Sequence, residues 1–200
     1  MSYTIVGFGK IGQALAHAFA RRNIDITVAS HRPPEELAPK ARAIGPTVVA
    51  KSLRDALEAD TIILAVPFGE HREIAKALLS WRGKTVIDAM NSAPIPPEEL
   101  DGLPSSAFVA KSFTGGQVVK AFNHLVAATL ASDPIVEGGH RVVFLSSDDE
   151  DAIAPVADLA KQLGFAPVKL GKLNEGGALV HARGRTWGQL IFQDLFKKQQ

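Results

Sequence analysis

The run Tyr3–Thr4–Ile5–Val6–Gly7–Phe8–Gly9–Lys10–Ile11–Gly12 constrains this chain more than any other. A short apolar strand leads into Gly-x-Gly-x-x-Gly, and Ile11, Ala14, Leu15, Ala18 and Phe19 follow at helical spacing. Strand, glycine turn and helix in immediate succession form the dinucleotide-binding fingerprint. Gly7 is expected to allow the tight turn, Gly9 to let a pyrophosphate approach the backbone, and Gly12 to seat the helix close to the strand. The helix start then offers unpaired N–H groups and a positive dipole end to the phosphates. The competing reading is a glycine turn that only packs a helix.

The rest of the chain repeats the strand–helix alternation. Strands are expected at Ile24–Ala29, Thr47–Ala50, Thr61–Val66, Thr85–Ala89 and Ala107–Ala110, with later strands at Arg141–Leu145 and Phe165–Leu170. Helices are expected over Pro33–Ala43, Ser52–Glu58 with Ser52 as cap, His71–Trp81 and Val118–Leu130. A further helix follows the acids Asp148–Asp151 and stops at Gly164, and a last one covers Trp187–Phe196. This pattern predicts an α/β fold: a doubly wound, mostly parallel Rossmann sheet, extended by carboxyl-terminal strands and a terminal helix. No linker-like tract interrupts it, so residues 1–200 are expected to form one domain, with 141–200 as an extension.

Composition narrows the function classes. The 200 residues carry 22 basic and 21 acidic side chains, a net charge of +1, which gives no case for nucleic acid or an acidic membrane surface. There is no cysteine, which excludes disulfides, thiolate nucleophiles and Cys-ligated zinc or iron–sulfur clusters. The scattered histidines show no metal-ligand spacing. No apolar run approaches the ~20 residues of a membrane span. The first strand begins by Tyr3, so no leader is expected and the cytoplasm is the default location.

The exit of the second strand reads Ala29–Ser30–His31–Arg32. An NAD-selective site usually carries an acid there, for the adenosine ribose hydroxyls. This chain has none. Ser30, His31 and Arg32 stand where a 2′-phosphate would lie, and Arg32 is suited to a bidentate, charge-assisted pair with it. NADP(H) is therefore expected over NAD(H).

Ligands of an open parallel sheet lie outside the carboxyl ends of its strands. Val66, Pro67 and Phe68 leave one strand, with Phe68 placed to cover the ribose or nicotinamide side. Asp88–Ala89–Met90–Asn91 leave another, with Asn91 suited to the nicotinamide ribose or carboxamide and Asp88 to holding the loop. Lys111 follows the expected strand Ala107–Ala110. Lys120, Asn123 and His124 are expected to share a helical turn, with Asn123 either ordering the loop after Asp88 or reaching the cofactor amide. No carboxylate–histidine pair announces a general acid and base, and catalytic residues are not identifiable. Hydride transfer between two bound cofactors needs alignment and exclusion of water more than a proton donor.

Together these segments resemble the NADPH-dependent oxidoreductases that act on coenzyme F420, a fold shared with the cytosolic domain of membrane metalloreductases. The glycine turn, Ser30–His31–Arg32, Val66–Pro67 and Asp88–Ala89–Met90–Asn91 carry the likeness. The more specific parts are Lys120–Ala121–Phe122–Asn123, Val142–Glu150, Leu163–Gly164–Phe165 and Gly171–Lys172–Leu173. The resemblance implies that the last third builds the acceptor side and a subunit contact, that Gly171–Ala178, including Gly176 and Ala178, faces the nicotinamide, and that the chain forms a homodimer. It departs from the family at Asn91, where Ser92 and Ala93 precede Pro94.

The function expected is that of an NADPH-dependent oxidoreductase moving a hydride between NADP(H) and a flavin-like, deazaflavin (F420-like) or other small acceptor. Two alternatives stand beside it. One is an NADP(H)-binding sensor without turnover. The other is a small imine or ketone reductase, disfavoured because such enzymes normally add a sizeable helical domain.

Overall fold

The computed structural model describes residues 1–92, 95–180 and 196–197. Strands β1 (Tyr3–Val6), β2 (Ile26–Ala29), β3 (Val48–Ala50), β4 (Thr61–Leu64), β5 (Thr85–Asp88) and β6 (Gln117–Lys120) form one parallel sheet in the order β3-β2-β1-β4-β5-β6. Ile5 lies between Val28 of β2 and Ile63 of β4. The order reverses between β1 and β4, so the crevice at their carboxyl ends is the topological switch point of a Rossmann fold.

Alternation along the strands gives the sheet two apolar faces. Ile5, Val28, Ile63, Ile87 and Val119 share one core with α1 (Lys10–Arg21), α2 (Pro34–Ile44) and α7 (Glu150–Gln162). Val6, Ile62, Leu64, Val86 and Val118 share the other with Ile74 of α4 (His71–Lys76), Phe108 and Val109 of α5 (Ser105–Ala110), and Trp81. Near-continuous apolar strands, β4 above all, follow from burial on both faces. Between β3 and β4, α3 (Leu53–Ala56) starts at Ser52, whose hydroxyl accepts from the Asp55 N–H at 3.2 Å as its position predicted.

Two expected elements change type. Ala107–Ala110 is not a strand but the end of α5. Pro104, at φ −58° and ψ 146°, sets the helix start, and so short an apolar run has no period to separate helix from strand. Val118–Leu130 is not one helix. Its first residues are β6, and a loop then leads to α6 (Ala127–Ala131). The break falls at Phe122, which holds a left-handed φ of 63° that no helix tolerates. The helix starting at His71 also ends early, at Lys76, and the Trp81 indole N–H donates to the Ala75 carbonyl at 2.9 Å beyond it.

The carboxyl-terminal strands do not continue the main sheet. β9 (Val142–Leu145) and β10 (Ala166–Lys169) pair in parallel as a sheet of their own, on either side of α7 in the chain. An antiparallel bridge between Lys120 and Ser146 and a bond from the Ser147 hydroxyl to the Val118 carbonyl stitch it to β6. β7 (Ile135–Val136), β8 (Gly139–His140) and β11 (Phe196–Lys197) form a third small sheet. The short helix α8 (Gly176–Leu179) lies between β10 and β11 in the chain. The expected terminal helix lies outside the described residues except at Phe196, which is in strand β11 and pairs with His140. Among the described residues, no helix is long and apolar enough to cross a membrane.

Candidate functional site

Parallel strands deliver every exit loop to the same edge. The ladder runs on into those loops: Gly7 N–H donates to the Ala29 carbonyl, Ala65 N–H to Val6, Ala89 N–H to Leu64 and Ala121 N–H to Asp88. The β1, β2, β4, β5 and β6 exits therefore form one contiguous rim.

Each glycine of the turn has a distinct physical reason. Gly7 has φ +102°, and a Cβ there would stand 2.3 Å from the Ala65 carbonyl oxygen. A Cβ on Gly12 would stand 1.9 Å from the Gly7 carbonyl oxygen. Gly7 and Gly12 thus close the β1–α1 turn on itself, while Phe8 is buried beneath it. Gly9 differs: a Cβ there would meet nothing within 4 Å, so the space above it is open. Gly9 is also the N-cap of α1, with no side chain capping it and no acid in the first turn. The N–H groups of Lys10 and Ile11 keep their positive end for an incoming anion. A purely structural turn needs Gly7 and Gly12; it does not need an open, uncapped helix end at Gly9. These features fit a dinucleotide pyrophosphate.

At the β2 exit, the Ser30 hydroxyl accepts from the Arg32 N–H at 3.0 Å and tightens the loop beside the turn. His31 and Arg32 are exposed. Among the described residues, no acid pairs with the Arg32 guanidinium. The nearest acids in sequence, Glu35 and Glu36, belong to the first turn of α2. The three polar side chains and the glycine turn are adjacent on the rim, as their sequence positions implied.

At the β4 exit, Val66 borders Gly7 and Pro67 is exposed, but the Phe68 ring turns inward. It is 6% exposed and packs on His71 and Phe108 at centroid distances of 5.0 and 6.3 Å. The rim receives backbone from Phe68, not the ring expected to cover a ribose. Lys111 departs further from expectation. It follows α5 on the segment that leads into β6, and it pairs with Asp101 at 3.3 Å. The strand expected to place Lys111 on the rim does not exist there.

The β5 and β6 exits carry a buried polar network. Asp88 and Lys120 end paired strands in register. The Asp88 carboxylate accepts from the Met90 N–H at 2.9 Å, the Ser106 hydroxyl at 2.5 Å and the Lys120 ammonium at 3.2 Å. The ammonium also donates to the Met90 carbonyl at 2.6 Å. Both side chains are almost fully buried, at 3% and 0% exposure. Burial pushes the Lys120 ammonium below its ordinary range, and the facing Asp88 carboxylate opposes that shift. Asp88 is the loop-holding residue expected. Lys120 and Ser106 are partners that sequence reasoning missed, although a lysine ending an apolar strand opposite a strand-end aspartate was the available signal.

The network fixes Met90 and so presents Asn91. The Asn91 amide donates to the Asn123 carbonyl at 2.8 Å, and the Asn123 amide donates to the Asn91 side chain at 3.1 Å and to the Val180 carbonyl at 2.6 Å. Asn123 lies in a loop rather than on a helix, and it clasps the β5 exit to the α8 segment. The residue that follows α8, Val180, thus meets the rim through Asn123. Gly176 is buried there because a Cβ would stand 2.0 Å from the Leu170 carbonyl oxygen, a packing reason rather than a ligand-facing one. Ala178 is exposed on the same short helix. His124 is buried, bonded through Nε2 to the Val142 carbonyl at 3.0 Å, and burial lowers its pKa to about 4. It is a neutral structural imidazole near neutral pH. Among the described residues, no cluster of acids and histidines could hold a metal ion.

Sheet order, glycine turn and switch-point crevice define a Rossmann-type dinucleotide-binding protein. The model of the family described as NADP oxidoreductase, coenzyme F420-dependent, matches residues 2–92, so the amino-terminal half of the chain is similar to that family. A hypothetical protein, SMa0349 from Sinorhizobium meliloti, is 39% identical, with a TM-score of 0.89 over 97% of this chain and 96% of that one. A candidate F420-dependent NADP-reductase from Arthrobacter sp. FB24 shares the fold at 24% identity, with a TM-score of 0.68 over 86% of each chain. Metalloreductase STEAP3 of Rattus norvegicus is 27% identical over 84% of this chain; the chain spans 33% of that relative's length.

Proposed function

We propose that the protein binds NADP(H) along the carboxyl rim and moves a hydride between it and a flavin-like, deazaflavin (F420-like) or other small acceptor. The observation that carries the reading is the pair of adjacent anion sites: the open, uncapped helix end at Gly9 and the acid-free Ser30–His31–Arg32 exit. The first takes the pyrophosphate and the second the 2′-phosphate, with Arg32 supplying the bidentate contact. When bound, the nicotinamide supplies the hydride. The chain's contribution is alignment. Val66 and Pro67 border the nucleotide by their backbone, Asn91 is held toward the nicotinamide end by Asn123, and Asp88–Lys120 keeps that loop from moving. The α8 segment closes the acceptor side, and the chain acts as a homodimer.

The test is a parallel titration of NADPH and NADH on the native chain, Arg32→Ala and Gly9→Ala. The expected result is a preference for NADPH that Arg32→Ala removes, and loss of both nucleotides in a folded Gly9→Ala. Equal binding of NADPH and NADH, unchanged in Arg32→Ala, would overturn the 2′-phosphate assignment. NADPH oxidation with flavins and F420 then separates an oxidoreductase from a sensor, which would bind without turnover.

A further inference from the structure

The loop after β6 makes one side chain serve two segments. Strand pairing runs on to Ala121, whose N–H reaches the Asp88 carbonyl, and the chain then turns at Phe122 with a left-handed φ of 63°. Phe122 is fully buried and packs edge-on against Phe165, with ring centroids 6.0 Å apart. A bulky residue at positive φ is strained, and such strain persists only where packing holds it; it collects at ligand clamps and switch regions. Here the turn delivers the buried Asn123 between the β5 exit and the end of α8.

The donors and acceptors around Asn123 permit one arrangement. Its Nδ2 has two hydrogens and gives one to Asn91 Oδ1 at 3.1 Å and one to the Val180 carbonyl at 2.6 Å. Asn91 Nδ2 donates in return to the Asn123 backbone carbonyl at 2.8 Å. Turning the Asn123 amide over would set its oxygen against two other oxygens, so the Val180 carbonyl fixes the polarity with which Asn123 meets Asn91. Val180 is itself buried against Val142 and Phe144 of β9. The helix before it, α8, has four residues, too few to hold a helical segment by its own hydrogen bonds. Its place beside the rim depends on anchors such as this one.

We propose that Asn123 joins nicotinamide binding and docking of the α8 segment into one coupled equilibrium. A nicotinamide that orders Asn91 leaves less to be ordered when Val180 docks, and a docked Val180 holds Asn91 ready for the nicotinamide. Coupling of this kind is reciprocal, and an unbroken hydrogen-bonded chain from Asn91 through Asn123 to Val180 carries it. It rests on the reading that the nicotinamide end of the nucleotide lies at Asn91, and it adds regulation of that end by the α8 segment. The phosphate sites belong to the β1 and β2 exits and take no part.

Hydrogen exchange of the full chain tests it, read on the peptide that contains Gly176–Val180. The two ligands are NADPH and 2′,5′-ADP, which carries the adenosine phosphates but no nicotinamide. The expected result is slower exchange with saturating NADPH and no change with saturating 2′,5′-ADP. Asn123→Asp puts an oxygen in place of Nδ2 and opposes both acceptors. It should weaken NADPH about tenfold, abolish the NADPH protection of Gly176–Val180 and leave 2′,5′-ADP affinity as in the native chain. Should that variant not fold, the contrast between the two ligands on the native chain decides alone. Equal protection by both ligands, no protection by bound NADPH, or an equal loss of affinity for both in the variant would overturn the proposal. Binding of neither ligand to the native chain would overturn the nucleotide reading and the coupling with it, so the two failures are distinguishable.

Discussion

The exits of β2 and β5 lie on one rim and solve opposite problems. At β2, Ser30, His31 and Arg32 are at least partly open to solvent, and their one described internal bond is Arg32 N–H to Ser30 Oγ. At β5, Asp88 and Lys120 are sealed from water, and both are multiply bonded to each other or to the Met90 backbone. The first region has its charge ready for a ligand and loses little by waiting. The second spends its charge internally and delivers a rigid loop. On the proposed function, recognition and positioning fall to different strands, and substitutions should separate them: those at β5 should unfold or loosen the protein, and those at β2 should leave it folded and change only what it binds.

The largest effect is expected at the buried pair. Asp88→Ala leaves the Lys120 ammonium in an apolar site with no counter-charge, which costs about 3–5 kcal/mol, and urea unfolding should register it. Lys120→Met leaves Asp88 with its hydrogen bonds from Met90 and Ser106 and should cost less. The double variant should recover part of the loss, because removing both charges removes the desolvation problem. A double variant as unstable as the sum of the two singles would show that the two charges are not coupled, and the reading of a mutually dependent pair would fail.

Next comes the pH dependence carried by His124, which packs on Phe144 just beyond the β6 exit. Its pKa is lowered by burial from 6.5 to about 4. Between those values the unfolded chain holds a proton that the folded chain lacks, so stability falls as pH falls through the window and the loss is complete below about pH 4. The shift corresponds to roughly 3 kcal/mol. His124→Gln should flatten the fall between pH 6.5 and 4 in thermal or urea unfolding. An unchanged slope would place the acid sensitivity elsewhere.

These two regions were also unequally legible in the sequence. The β2 exit was readable because its signal is local: a strand, a glycine turn nearby, and a short polar run where an acid usually stands. Strands β1 to β5 were readable for the same reason, since each is a short run rich in apolar and β-branched residues. The β5–β6 network was only half readable. Asp88 stood out as a loop holder, but Lys120 looked helical because Val118–Leu130 is mostly apolar and reads as a continuous helical stretch. Nothing short of the left-handed Phe122 marks the change from strand to loop, and a backbone angle is not written in residue type. The same weakness moved Lys111 off the rim. A four-residue apolar run such as Ala107–Ala110 reads as strand or helix until its neighbours are known, and Pro104 was the one cue that favoured helix.

Arg32→Ala is expected to act in the opposite manner from Asp88→Ala. It should weaken NADPH about ten- to a hundredfold, the range of a lost charge-assisted contact, and leave NADH binding and the melting temperature unchanged. A drop in melting temperature would mean that Arg32 is already spent on the fold, and the contrast between the two exits would fail.

The smallest effect sharpens the contrast most. Among the described residues, Ser30 is the one side chain of the β2 exit that bonds within the protein, accepting from the Arg32 N–H. If that bond exists to hold the loop for a phosphate, Ser30→Ala should cost less than about 1 kcal/mol of stability, because the freed N–H is solvated. NADPH affinity should still fall severalfold, through loss of both the hydroxyl contact and the loop geometry. Combined with Arg32→Ala, it should add almost nothing to the NADPH loss, since both act through the same phosphate. Full additivity would mean that Ser30 and Arg32 serve different parts of the nucleotide, and the β2 exit would then be two sites rather than one.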